Sequence, residues 1–168
     1  MGLYRIRGPW TGVLIIVSRP RGGDWLSDEA RSWKKEGLDV VVSLLTREEQ
    51  DEFGLLDEQE LSEKLGVQFV SLPIADLGVP SSREEAMRVL SWIEKLLTAG
   101  KKVGVHCRQS VGRSGMIAAA LLVMSGSDPH EAFASVSSDR GLPVPETEAQ
   151  RKWVIELARE FEPTASQR

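Results

Sequence analysis

Four short runs of β-branched and apolar residues constrain this chain most: Val13–Val17, Val40–Leu45, Val67–Leu72 and Val103–His106. Each is strand-length and nearly continuous in its hydrophobicity, the pattern of a strand buried on both faces. Helical patterns fill the intervals. Residues 27–36 carry Ser27 as a candidate cap with Trp33 inside, and residues 57–65 place Leu61 and Leu65 one turn apart. The clearest helix is 82–99. There Ser82 and Glu85 form a capping box, Met87, Leu90, Ile93 and Leu97 trace one apolar stripe, and Gly100 ends it. After His106 come a polar turn and an apolar stretch from Met116 to Met124. Asp128-Pro129 opens a further helix, cap then proline at the first helical position, and a last one runs over about 145–161.

Strands alternating with helices predict an α/β fold: a single domain with a central twisted, mostly parallel sheet flanked by helices. The expected limits are 1–162 for the domain and 163–168 for a frayed tail. A chain of 168 residues is long enough to bury about two thirds of its unfolded surface. The formal charge of -4, from 25 acidic and 21 basic side chains, disfavours nucleic acid or an anionic membrane as the main partner. The lone cysteine rules out an intramolecular disulfide and suits a reducing compartment. The N-terminus lacks the charged and apolar regions of a signal peptide, and Val13–Val17 is too short to cross a bilayer. A cytoplasmic location is therefore expected.

In an open parallel sheet the reactive site lies beyond the carboxyl ends of the strands, where Val103–His106 delivers Cys107. The stretch His106-Cys107-Arg108-Gln109-Ser110-Val111-Gly112-Arg113-Ser114-Gly115 then reads as strand, turn and helix start. Loop amides in such a turn point inward, and the helix N-terminus adds partial positive charge. An oxyanion would meet those N–H groups from Arg108 through Gly112, together with the planar fork of Arg113, which matches two phosphate oxygens. The same field favours an ionised sulfur on Cys107, aligned for attack on phosphorus. Ser114 is placed to donate to that sulfur and ease its departure, while His106 is expected to brace the loop. A lone cysteine is most often a small buried hydrophobe; the residues around this one argue for chemistry.

The His106-Cys107 pair, five residues, then Arg113-Ser114 resembles the signature of the cysteine-dependent protein tyrosine phosphatases, in particular their dual-specificity branch. The likeness covers roughly residues 35–160 and leaves the first 30 residues without a motif. It implies hydrolysis of phosphate monoesters through a cysteinyl-phosphate intermediate, with no metal and no cofactor. Family members use an aspartate on a loop upstream of the cysteine as general acid toward the leaving oxygen and then as the base that takes a proton from water during hydrolysis of the cysteinyl-phosphate. Here Asp76 follows a strand-like run and precedes a helix; Ala75 and Leu77 stand where many phosphotyrosine-specific members carry tryptophan and proline. The stretch Pro145-Glu146-Thr147-Glu148-Ala149-Gln150 resembles the family's glutamine loop, so Gln150 is a candidate for positioning the hydrolytic water.

The resemblance implies phosphorylated protein or peptide as substrate: phosphotyrosine first, with phosphoserine and phosphothreonine as further candidates. The alternatives keep the mechanism and change the substrate to a phosphoinositide, nucleotide or RNA 5′-phosphate, or drop turnover and leave a phosphopeptide-binding pseudophosphatase. Arg108 is the single basic residue within the loop interior, which disfavours a polyanionic lipid headgroup. A rhodanese-like sulfurtransferase would share only the loop, and Arg113, Ser114, Gly115 and Asp76 argue against it.

Overall fold

All four apolar runs become strands in the computed structural model, which describes residues 2–161. They are β2 (Val13–Val17), β3 (Val40–Ser43), β4 (Gln68–Ser71) and β5 (Lys102–His106), joined by a strand the sequence did not announce, β1 (Leu3–Ile6). The order across the sheet is β1-β2-β5-β3-β4. β1 runs antiparallel to β2, and the other pairings are parallel. β5 is thus the central strand, with Val105 opposite Ile16 on one side and Val42 on the other.

Successive residues of a strand point to opposite faces, and the core divides accordingly. Leu14, Ile16, Val40, Val42, Val103 and Val105 enter the larger cluster. Ile15, Val17 and Val41 enter a smaller one around the fully buried Trp33. Each such side chain contributes about 1.5–3 kcal/mol on burial, so slipping a strand by one residue would exchange both cores at once. β4 departs from the expectation of cover on both faces. It is the sheet's edge, and Gln68 and Ser71 stay exposed.

The helices follow their caps. α1 (Leu26–Lys35) continues from a 3-10 turn at Gly23–Trp25, so Ser27 lies inside its first turn and does not cap it. α2 (Arg47–Glu52) has no apolar stripe and went unforeseen; a reciprocal capping box between Thr46 and Glu49 starts it. α3 (Glu58–Lys64) leads to the edge strand. α4 (Arg83–Thr98) is capped by the Ser82 hydroxyl, which accepts from the Glu85 amide at 3.1 Å. α5 (Gly112–Met124) is buried at every position, a helix wrapped by sheet and neighbours. α6 (Pro129–Arg140) starts on an Asp128 cap, and α7 (Glu148–Ala158) begins a turn later than its sequence pattern suggested. Trp92 and Trp153 pack on the larger core. The expected tail, 163–168, lies outside the described residues. No helix among the described residues is long and apolar enough to cross a membrane.

Candidate active site

β5 ends at His106 and α5 begins at Gly112, so the intervening loop starts on Cys107 at the carboxyl edge of the sheet. Outside groups hold its carbonyls. Arg140 Nε donates to the Ser110 carbonyl at 2.7 Å and its Nη2 to that of Gln109 at 3.5 Å, while Arg19 Nη1 donates to that of Arg108 at 3.2 Å. In a trans peptide a carbonyl and the next N–H point in opposite directions. The amides of Gln109, Ser110 and Val111 therefore face away from those arginines. Ser110 takes a positive φ of 55°, costly for a residue with a Cβ, and its buried hydroxyl donates to the Val17 carbonyl at 2.6 Å. α5 begins directly after that loop at Gly112, and the N–H groups of its first turn lack partners within the helix.

Arg113 is 2 % exposed. Nη1 donates to Glu49 Oε2 at 2.7 Å and Nη2 to Glu49 Oε1 at 2.8 Å, a bidentate pair. Nη1 also reaches the Ile74 carbonyl at 2.7 Å, and Nη2 meets Asp76 Oδ1 at 3.2 Å. Burial works against both charges. For Glu49 the hydrogen bonds and charge of Arg113, with those from Thr46, outweigh it and hold the carboxyl below the ordinary glutamate value. For Arg113 burial is likewise overcome, first by the hydrogen bond to Glu49 and then by the Cys107, Glu49 and Asp76 charges, so its pKa lies above the usual one. Glu49 escaped notice in the sequence because it stands 64 positions from its partner. Its capping box with Thr46 was the available signal, and that signal announces a helix, not a guanidinium.

Cys107, Arg108, Gln109, Gly112 and Arg113 line one pocket together with Asp76, Leu77, Glu146 and Gln150. The fold thus gathers the candidate nucleophile, clamp and general acid. Asp76 remains solvent-accessible; its Oδ1 accepts from the Leu77 amide at 3.1 Å as well as from Arg113, and Leu77 adopts a positive φ of 62°. Arg108 lies 3.6 Å from Glu52 and 3.9 Å from Glu49, its guanidinium 5.1 Å from the centre of the Phe53 ring. Ser114 is buried, and its hydroxyl has no partner among the described residues. His106 turns away from the pocket: Nε2 meets Glu58 Oε1 at 2.6 Å, both groups buried, beside the Trp33 ring. Gln150, 1 % exposed, accepts at Oε1 from the amides of Glu146 (3.1 Å) and Thr147 (3.3 Å). Its Nε2 donates to the Gly78 carbonyl at 3.1 Å, tying the start of α7 to the loop that carries Asp76.

The arrangement offers a sulfur, a rigid two-pronged cation, loop amides and carboxylates converging on a space open to solvent. Known proteins share the fold that carries it. The kinase associated phosphatase, in a form whose catalytic cysteine is replaced by serine, superposes with a TM-score of 0.87 over 96% of each chain at 20% identity. PTPMT1 bound to PI(5)P gives 0.77 at 20% identity, over 96% of this chain and 98% of that one. The active form of Tk-PTP is 32% identical over 88% of this chain and 90% of its own, with a TM-score of 0.69. A protein of Invertebrate iridescent virus 3 whose name gives it as tyrosine phosphatase 067L is 37% identical over 60 residues, 34% of this chain, and the match spans only 25% of the viral protein. Residues 16–127 match the family model described as "Tc-R-P: Polymorphic toxin system, DSP-PTPase phosphatase". With a fold, a cysteine loop and a family match that agree, the chain belongs to the DSP-PTPase phosphatases, within the cysteine-dependent tyrosine and dual-specificity phosphatase superfamily.

Proposed function

We propose that this phosphatase hydrolyses phosphoproteins, phosphotyrosine foremost and phosphoserine or phosphothreonine besides, through a cysteinyl-phosphate on Cys107. The observation that carries the reading is the single pocket lined by Cys107, Arg113 and Asp76. The Nε–Nη2 edge of Arg113, with Nη2 turning its second hydrogen from Asp76 to the substrate while Glu49 keeps the other, joins the loop amides of residues 108–112 in binding the phosphate oxygens, and its charge is already in position when negative charge spreads over those oxygens in the transition state. The thiolate of Cys107 attacks phosphorus in line. The bond to the leaving oxygen breaks, and Asp76 protonates that oxygen, a contribution of about 10²–10⁴-fold. Water then attacks the phosphoenzyme and yields a proton to a carboxylate of the pocket, the O–P bond forms as the S–P bond breaks, and the thiolate leaves with help from the Ser114 hydroxyl, which has no partner among the described residues. His106, locked to Glu58, braces the strand end that bears the nucleophile.

Protein substrates are favoured over phosphoinositides because the loop interior carries one cation, Arg108, and that cation is shared with Glu49 and Glu52. Phosphotyrosyl, phosphothreonyl, phosphoinositide and nucleotide substrates, assayed side by side with the native enzyme and Cys107→Ser, test this. Turnover is expected on the peptides and absent in the variant. Hydrolysis that survives Cys107→Ser refutes the mechanism, and a preference for the lipid refutes the substrate class.

A further inference from the structure

Resting on the cysteinyl-phosphate mechanism above, we propose that Glu146 is a second proton-transfer group of the pocket, the base that takes the proton of the attacking water while Asp76 serves the leaving group. Two proton movements in opposite directions make up the cycle: one onto the departing oxygen as the S–P bond forms, one off the water as it breaks. A single carboxylate can perform both in turn, yet this pocket is lined by two.

Glu146 stands where the second movement needs an acceptor. Its carboxyl carbon lies 3.0 Å from where a Cβ would sit on Gly112, so the side chain rests on the first residue of α5, next to Arg113. The backbone beneath it is fixed on both sides. Its amide donates to Gln150, and Val144 two residues before packs so closely on Gly115 that a methyl there would lie 2.7 Å from the valine Cβ. Among the described residues no hydrogen bond or ion pair engages the Glu146 carboxylate, while Asp76 Oδ1 already receives two donors.

Gln150 cannot take that proton's place in the hydrogen-bonding scheme. A glutamine amide has two acceptor sites and two donors. Both acceptor sites are occupied by the Glu146 and Thr147 amides, and one donor is spent on Gly78. What remains is a single N–H, able to hold a water through its oxygen but not to receive its hydrogen. Glu146, the neighbouring carboxylate, completes the pair: Gln150 orients the water and Glu146 deprotonates it. In the balanced step the water O–H breaks toward Glu146, the new O–P bond forms, and the S–P electrons return to Cys107 as thiolate. The protonated Glu146 then releases its proton to solvent, and Asp76 takes one up from solvent before the next turnover, so the cycle closes.

The test is rapid-mixing kinetics on p-nitrophenyl phosphate with Glu146→Gln and Asp76→Asn, together with acid trapping of the phosphoenzyme. Glu146→Gln is expected to lower kcat at least tenfold, to release about one equivalent of p-nitrophenol in a burst, and to accumulate trapped cysteinyl-phosphate. Asp76→Asn is expected to slow release without a burst. A Glu146→Gln enzyme with native kcat, or one that is slow with neither burst nor trapped intermediate, overturns the proposal. Turnover retained by Cys107→Ser would instead overturn the mechanism beneath it, so the two failures are distinguishable.

Discussion

Arg113 is committed before any substrate arrives. Both prongs of its fork rest on Glu49, and the aliphatic stem is sealed from water. Glu49 is therefore what keeps a buried cation in register with the sulfur, and Glu49→Gln should cost about 1–3 kcal/mol of stability near neutral pH and raise KM more than it lowers kcat. The pH dependence has a definite sign. A carboxyl held below its ordinary value in the folded state contributes stability that is full above that ordinary value and is lost as pH falls through the depressed one. Urea titrations should accordingly show the native and Glu49→Gln proteins converging as the medium is acidified below the normal glutamate range. A gap that stays constant would remove Glu49 from the pair. Cys107, Arg113 and Asp76 were all readable from one motif and one loop. Glu49 and Glu58 were not, since each belongs to the site only through a contact made across the fold.

Among the elements, α7 connects to the site through its first turn. Thr147 accepts from the Gln150 amide at 3.2 Å and donates to the Leu77 carbonyl at 3.3 Å, while Gln150 reaches Gly78. One capped helix end thus holds the loop of the candidate acid. Thr147→Ala should lose about 0.5–2 kcal/mol, the worth of an N-cap, and should lower kcat/KM several-fold through the loosened Asp76 loop; Thr147→Ser should restore both, as measured by denaturation and steady-state assay. If Thr147→Ala is destabilised but fully active, the link is structural only. Legibility at this scale followed hydrophobic pattern. α4 was plain because its stripe and its cap agreed. α2 is polar throughout, and β1 is a four-residue strand whose central Arg5 is exposed, so neither leaves a periodic trace.

At the scale of the molecule, the motif's loop is a meeting point for distant chain. Val17 at the end of β2, Arg19 just beyond it and Arg140 at the end of α6 all bond to it, with Arg140 resting on the Tyr4 ring at 3.8 Å and Arg19 on Phe53 at 3.7 Å. The first thirty residues, which carry no motif, brace the site. Sequence alone conceals this because carbonyl partners leave no signature in residue identity. An oxyanion bound there should stabilise the whole fold by mass action, about 2.7 kcal/mol at a hundredfold excess over Kd. Inorganic phosphate is thus expected to raise Tm in the native protein and to do so far less in Arg113→Lys, which lacks the planar fork. An equal rise in both would mean that the anion binds elsewhere.

Those pinned carbonyls have a further bearing on how the enzyme spends its time. A mould cast once, while the chain folds, need not be recast for each customer: the disorder that a free glycine-containing loop would surrender on every encounter is surrendered a single time per molecule. Damage to the bolts on the outside, at Arg19 or Arg140, would then register as sluggish, imprecise capture of an anion even though neither residue lines the pocket.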